Sequence, residues 1–206
     1  MPEEPTLLLT APILAIMRSI EGWLRDEEAD LLIAAAAWVL RNLPDPLSFV
    51  EVGSFCGRST VVLGRVARQL RPAVKVHAID PHQGVTGADG QSLHRGQPTY
   101  GSFCRNIENA GVSEQVLPVV AKSWETDWNG PIGLLFIDGL HDYANVSRDF
   151  RHFEPWLMDR GLVAFHDYGT EFPGVRTFVG ELLETRYAAV ECARSLIVLR
   201  KTDHAD

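Results

Sequence analysis

The chain has 206 residues, 27 acidic and 19 basic, for a formal charge of −8, a length that fits one domain with a core on both faces of a sheet. No run of Lys or Arg occurs, which argues against a nucleic-acid binder or a protein of anionic membranes and leaves a small-molecule substrate as the expected partner. Cys56, Cys104 and Cys192 are odd in number and lack metal-binding spacing, so neither a disulfide framework nor structural zinc is expected, and a reducing cytoplasm is the natural setting.

Leu7 to Met17 is apolar, but Glu3 and Glu4 precede it where a secretory signal needs positive charge. Pro12 interrupts the segment, and it is too short to cross a bilayer. Residues 1–25 therefore read as a docking or lid segment over the site's mouth or against a partner subunit, as in a homo-oligomer. A single domain over 26–206 follows. Asp26-Glu-Glu supplies a capping side chain and first-turn acids, and Leu31, Leu32, Ala35, Trp38 and Val39 recur at helical spacing until Pro44 and Pro46 end the pattern. Leu47 to Val52 is the first strand, and Ser59 to Leu70 reads as a helix with Val62, Leu63 and Val66 inward. Val74 to Asp80 is the second strand. Residues 82–97 carry Gly84, Gly87, Gly90 and Gly96 with little apolar content, as expected of a lid or substrate-contacting loop; His82, His94 and Arg95 read there as solvated loop residues.

A helix is expected from Pro98 to Ala110, a third strand from Val116 to Val120, and a fourth from Gly133 to Asp138. The fourth is apolar nearly throughout, which fits a strand buried on both faces. Tyr143 to Phe153 is helical in pattern, Pro155 and Gly161 bracket a turn into a fifth strand, Leu162 to Phe165, and Gly174 precedes a helix to Leu183. Tyr187 to Glu191 and Leu196 to Arg200 suggest a terminal antiparallel hairpin. Strands alternating with helices predict an α/β fold with a mostly parallel sheet.

The turn after the first strand reads Gly53-x-x-x-Gly57, whereas a dinucleotide fingerprint needs Gly-x-Gly-x-x-Gly so that the backbone can approach a pyrophosphate. Its missing middle glycine argues against a nicotinamide-dependent oxidoreductase and favours a cofactor without a pyrophosphate, whose positive group the Glu51 carboxylate would attract. Acids end further apolar strands at Asp80, Asp138 and, after His166, Asp167. An acid there is costly without a purpose. Trp23 and Trp38 read as core, Trp124 and Trp128 as pocket candidates, and Cys56 as filler.

Glu51-x-Gly53-x-x-x-Gly57, Asp80, Phe136-Ile-Asp-Gly-Leu-His-Asp-Tyr143 and Gly161-Leu-Val-Ala-Phe-His-Asp-Tyr168 together resemble a class I S-adenosylmethionine-dependent methyltransferase. More narrowly, they are similar to the branch containing macrocin-type sugar O-methyltransferases and cephalosporin-hydroxylase-like proteins, from Asp26 onward. The resemblance implies a three-layer Rossmann-like fold whose seven-stranded sheet ends in an antiparallel hairpin strand, with S-adenosylmethionine as cofactor. Glu51, Gly53, Ser54, Gly57 and Ser59 would lie about its methionine moiety, Asp80 would hold both ribose hydroxyls, Ser123 and Trp124 would meet adenine, and Asp138 would face the methyl group. Asp138, His141 and Asp167 are the implied catalytic groups, for transfer to a hydroxyl of a sugar or secondary metabolite. Removal of the hydroxyl proton needs either a base or a divalent cation. A cation such as magnesium would sit on Asp138, His166 and Asp167. Members that use magnesium place a carboxylate pair where this chain has His166-Asp167, so the base route stands beside the metal route, and His166 is open between a ligand and a structural histidine. A non-catalytic cofactor-binding subunit is the rival that keeps this fold.

Overall fold

The computed structural model describes residues 7–202; Glu3 and Glu4, with the rest of residues 1–6, lie outside that range, as do 203–206. In chain order the helices are α1 (Thr10–Arg18), α2 (Asp26–Asn42), α3 (Arg58–Leu70), α4 (Tyr100–Asn109), α5 (Tyr143–Phe153) and α6 (Pro173–Leu183). The strands are β1 (Ser48–Val52), β2 (Val76–Ile79), β3 (Val85–Thr86), β4 (His94–Arg95), β5 (Val116–Val119), β6 (Ile132–Ile137), β7 (Leu157–Phe165), β8 (Tyr187–Ala193) and β9 (Leu196–Lys201). Seven of them form one sheet in the order β5-β2-β1-β6-β7-β9-β8, parallel from β5 to β7 and antiparallel through β9 and β8. β3 and β4 pair apart as a two-stranded ribbon within the expected lid.

Side chains alternate across a pleated strand, and each strand here feeds two cores. Phe49, Leu134, Phe136, Leu162 and Ala164 pack with α1, α2, α3 and α4 on one face, while Val50, Leu135, Ile137, Val163 and Phe165 pack with α5 and α6 on the other. All of β6 is buried, as its unbroken apolar run requires. Each such Leu or Phe contributes about 1.5–3 kcal/mol of transfer free energy.

Four details depart from the sequence pattern. Leu7–Met17 contains a helix, because Pro12 falls in the first turn of α1, where its missing N–H costs nothing. Ile13 and Met17 are fully buried beside α3, and Arg58 of α3 donates to the carbonyls of Ile20 (2.6 Å) and Leu24 (2.8 Å), fastening residues 10–24 to their own domain. Asp26 does not cap α2; it pairs with Arg18 at 2.5 Å, and Glu28 instead accepts the N–H of Arg25 at 2.8 Å. The fifth parallel strand starts at Leu157 rather than Leu162, with a bulge in which Ile132 and Leu134 pair with Leu157 and Leu162; Arg160 takes a positive φ of 62° at the kink.

Candidate active site

Parallel pairing sets the carboxyl ends of the central strands in one row. The N–H of Gly53 donates to Ile79 (2.9 Å), that of Asp138 to Val52 (2.8 Å), that of His166 to Ile137 (3.1 Å) and that of Asp80 to Val119 (3.1 Å). β1 lies between β2 and β6, so the strand order reverses at this point and a crevice opens outside the strand ends. The crevice is a cavity of about 650 Å³.

Its floor is the turn after β1. Gly53 has φ +86°, and a Cβ there would lie 2.2 Å from the carbonyl oxygen of Asp138, so only glycine lets β1 and β6 splay at this point. Gly57 (φ +89°) starts α3 against Phe103. Asp80 holds the turn: its Oδ2 accepts the N–H of Phe55 (2.8 Å) and its Oδ1 that of His82 (2.6 Å). Gly53 and Asp80 line the cavity. Ser54 and Ser59 are buried around the turn, and the Ser54 hydroxyl has no partner among the described residues. Glu51 lies beneath the turn, fully buried and off the cavity wall, accepting from Thr60 and leaving Oε1 without a partner among the described residues. Burial pushes its carboxyl up to about 8, with Asp138 and Asp80 adding to the shift.

The ends of β6 and β7 bring four titratable groups together. His166 is buried, its Nδ1 lying 3.0 Å from both Asp138 Oδ1 and Asp167 Oδ2 and its Nε2 3.3 Å from Glu28 Oε2. Burial opposes a charge on this ring, but Asp138, Asp167 and Glu28 outweigh it and hold His166 well above the usual histidine range. Burial raises Asp138 above the carboxylate range; for Asp167 burial is overcome by His166 and His141, which draw it below. His141 Nε2 stands 3.2 Å from Asp167 Oδ2, and its ring packs on Phe172 with centroids 4.6 Å apart. Asp167 adopts φ 59°, a left-handed conformation that aspartate tolerates and that sets its carboxylate between the two imidazoles. Of the trio expected for a metal, Asp138, His166 and Asp167, the two carboxylates flank His166 Nδ1 at 3.0 Å each. Asp138, His141 and Asp167 also offer donor atoms within 4.8 Å of one another, while both nitrogens of His166 face carboxylates.

The lid roofs the cavity through Val85, Thr86, Leu93, His94 and Arg95. It is tied across to α5 by the N–H of His141 donating to Gly87 (3.0 Å) and that of Asp89 donating to Asp142 (3.2 Å). His82 is buried rather than solvated, its Nδ1 2.9 Å from the Thr99 hydroxyl and its ring against Tyr100 and Phe103. Trp124 lines the far end with Ser123, whose hydroxyl donates to Asp149; Trp128 turns away, its indole N–H donating to Gly130 at 2.7 Å. Trp23, read as core, is 58 % exposed and walls the mouth against Phe55, 5.2 Å between centroids.

Residues 50–168 match the family described as "Methyltransferase domain". The chain belongs to that family. Its fold is that of solved methyltransferases: the O-methyltransferase NovP (TM-score 0.70, 17% identity, 86% of this chain and 80% of that one), CalS11, described as calicheamicin methyltransferase (0.67, 16%, 94% and 91%), and an S-adenosylmethionine-dependent O-methyltransferase from Thermotoga maritima (0.64, 15%, 94% and 72%). A protein from Acanthamoeba polyphaga mimivirus, R132, described as uncharacterized, is 27% identical over 164 residues, 73% of this chain and 69% of that protein. The methyltransferase is thus a class I, S-adenosylmethionine-dependent enzyme with a Rossmann-like sheet. No helix among its described residues is long and apolar enough to cross a membrane.

Sequence reasoning on this methyltransferase missed Trp23, Phe55, Glu28, Asp149, Glu171 and Phe172, all of which line the cavity except Glu28, which supports it. Asp149 carried one signal: it follows Asn145 by four residues on α5, and both face the cavity.

Proposed function

We propose that this methyltransferase moves the methyl group of S-adenosylmethionine to a hydroxyl of a small molecule, with His141 as the base. The observation that carries the reading is His141, paired through Nε2 with Asp167 and standing with Asp138 at the mouth of the strand-end row, inside the cavity. On the cavity wall Gly53 would admit the methionine moiety, Asp80 would offer its remaining lone pairs to the ribose diol, and Ser123 with Trp124 would border the adenine, with Gly57 behind them at the start of α3. Glu51 supports that floor from beneath, through Thr60 at the start of α3.

With Nε2–H directed at Asp167, His141 Nδ1 keeps its lone pair. Bound here, S-adenosylmethionine would supply a methyl group for in-line displacement, its sulfur keeping the bond's electron pair, and His141 Nδ1 would take the proton of the attacking hydroxyl. Asp167 orients the ring and offsets the imidazolium formed, the arrangement of a base steadied by a third group. Asp138, on the cavity wall, would stand toward the sulfonium. Magnesium fits this donor set poorly: one of the three clustered donors is an imidazole, and His166 Nδ1 already bridges the two carboxylates. No step here runs through a cation.

A sugar hydroxyl is the acceptor class we favour, because an aromatic wall of Trp23 and Phe55 stands at the mouth and CalS11, of like fold, is a TDP-rhamnose 3'-O-methyltransferase. The test is incubation with methyl-labelled cofactor and a panel of sugars, nucleotide sugars and phenols. Label is expected in an O-methyl product, His141→Ala should lower turnover by roughly 10²–10⁴-fold with cofactor affinity nearly unchanged, and EDTA should leave the rate intact. Label only in amines or carbon, or cofactor binding with transfer to nothing, would contradict the proposal.

A further inference from the structure

A shallow groove of about 570 Å³ runs along the outer face of α5, apart from the strand-end crevice, and Trp124 is the wall the two have in common. Trp124, Tyr143, Ser147, Arg148, Arg151 and His152 line it, and no acid is among its lining residues. Lys122 adds a further cation, its Nζ 5.5 Å from the centre of the Trp124 ring. In a chain of net charge −8 this is a local excess of positive charge. Such an arrangement is unfavourable by itself, since Arg148 and Arg151 stand three apart on one helix face, where like charges repel. Nearby carboxylates do not relieve the repulsion. Glu125 pairs with Lys122 at 3.2 Å, Glu181 accepts the Tyr143 hydroxyl at 2.8 Å, and Asp149 is buried and accepts from Ser123. Among the described residues, neither Arg148 nor Arg151 meets a carboxylate at salt-bridge distance.

Arg148 is held in place before any ligand arrives. Its guanidinium covers the Trp124 ring at 3.1 Å from the centroid and donates to Asn145 Oδ1, which leaves its other N–H groups without a partner among the described residues. A stacked guanidinium loses little freedom on binding, and its planar fork matches the oxygens of a phosphate better than an ammonium does. Arg151 lies about one turn further along α5, its guanidinium 5.8 Å from the centre of the Phe178 ring. The exposed ring of Tyr143 lends the same groove an apolar flank. We infer that the groove is a second ligand site, taking the phosphate group of a small molecule between Arg148 and Arg151. An anion there turns the repulsion between the two arginines into attraction for a shared partner. The inference stands apart from the cofactor reading of the crevice.

Titration of the isotope-labelled full chain with inorganic phosphate and with phenyl phosphate, at fixed ionic strength and followed by the arginine Nε–H resonances, tests this without turnover. The Arg148 and Arg151 signals should shift saturably with a Kd of about 1 mM, the affinity that two charge-assisted contacts supply. Arg148→Gln should weaken binding by about 10–100-fold, and Arg148→Lys, which keeps the charge and loses the fork, should fall between that variant and the parent protein. Tighter binding of phenyl phosphate identifies an ester as the occupant, equal binding identifies the free anion, and either result supports the site. No saturable shift at the two arginines with either ligand overturns the inference, and that outcome needs no variant to fold. So does an Arg148→Gln, Arg151→Gln protein that melts normally and binds phosphate as tightly as the parent.

Discussion

At the scale of residues, Glu51 carries a proton that the unfolded chain would not. Burial, reinforced by Asp138 and Asp80, pushes it up to about 8, against 4.5 for an ordinary glutamate. Between those values the folded state binds more protons than the unfolded one, so this group's contribution is full below pH 4.5 and is lost as pH rises through 8. Stability falls by about 1.4 kcal/mol for each pH step across that window. Glu51→Gln removes the titration and keeps an acceptor for Thr60. Thermal melts should therefore show the variant gaining on the parent protein as pH rises from 5 to 8, by several degrees in Tm at the upper end. A Tm difference independent of pH would contradict the assignment. Asp80, Asp138 and Asp167 could be picked from the sequence because each follows an apolar strand, where an acid is conspicuous. Glu51 was conspicuous for the same reason, but its place beneath the turn rather than on the cavity wall depends on strand pleat and on Thr60, which no spacing rule discloses.

Elements meet at Glu28. One carboxylate in the first turn of α2 accepts from Arg25 N–H, faces His166 at the end of β7, and accepts both the N–H (3.1 Å) and the hydroxyl (2.7 Å) of Ser195 in the β8–β9 turn. Burial opposes its charge, yet the donors from His166, Arg25 and Ser195 prevail and hold it at about 2. That stability is present above pH 4.5 and disappears as pH falls toward 2, worth about 3 kcal/mol by linkage. Glu28→Ala should cost about 3–5 kcal/mol in urea melts at pH 7, since it leaves His166 buried against fewer carboxylates, and the cost should shrink in acid. A loss below about 1 kcal/mol would refute this staple. The contact joins residues 167 apart in sequence, which is why periodicity could not reveal it. Local patterns did reveal the parallel strands, the helices between them and the closing hairpin, for those follow from apolar runs and turn residues. The bulge before Leu162 escaped because its kink rests on Arg160, a residue with no turn preference, and α1 escaped because its Pro12 resembles an interruption until its place in the first turn is known.

Taken whole, the molecule places a broad acidic hollow at the strand ends, lined by Asp80, Asp89, Asp138, Asp149, Asp167 and Glu171, with Lys122, Arg95 and the raised His166 imidazole on its positive side. An environment of that sign suits a cationic sulfonium donor and favours it over the neutral thioether left after transfer, which helps product leave. The lid, α5 and the residues before α2 each contribute one wall. On the proposed reading those walls meet the acceptor and the strand-end row meets the cofactor. A crystal structure of the complex with S-adenosylhomocysteine tests this division most directly. The account predicts the ribose diol on Asp80, adenine at Ser123 and Trp124, and the sulfur turned toward Asp138, His141 and Asp167. A ligand seated elsewhere in the cavity, or one whose sulfur faces away from that cluster, would contradict it.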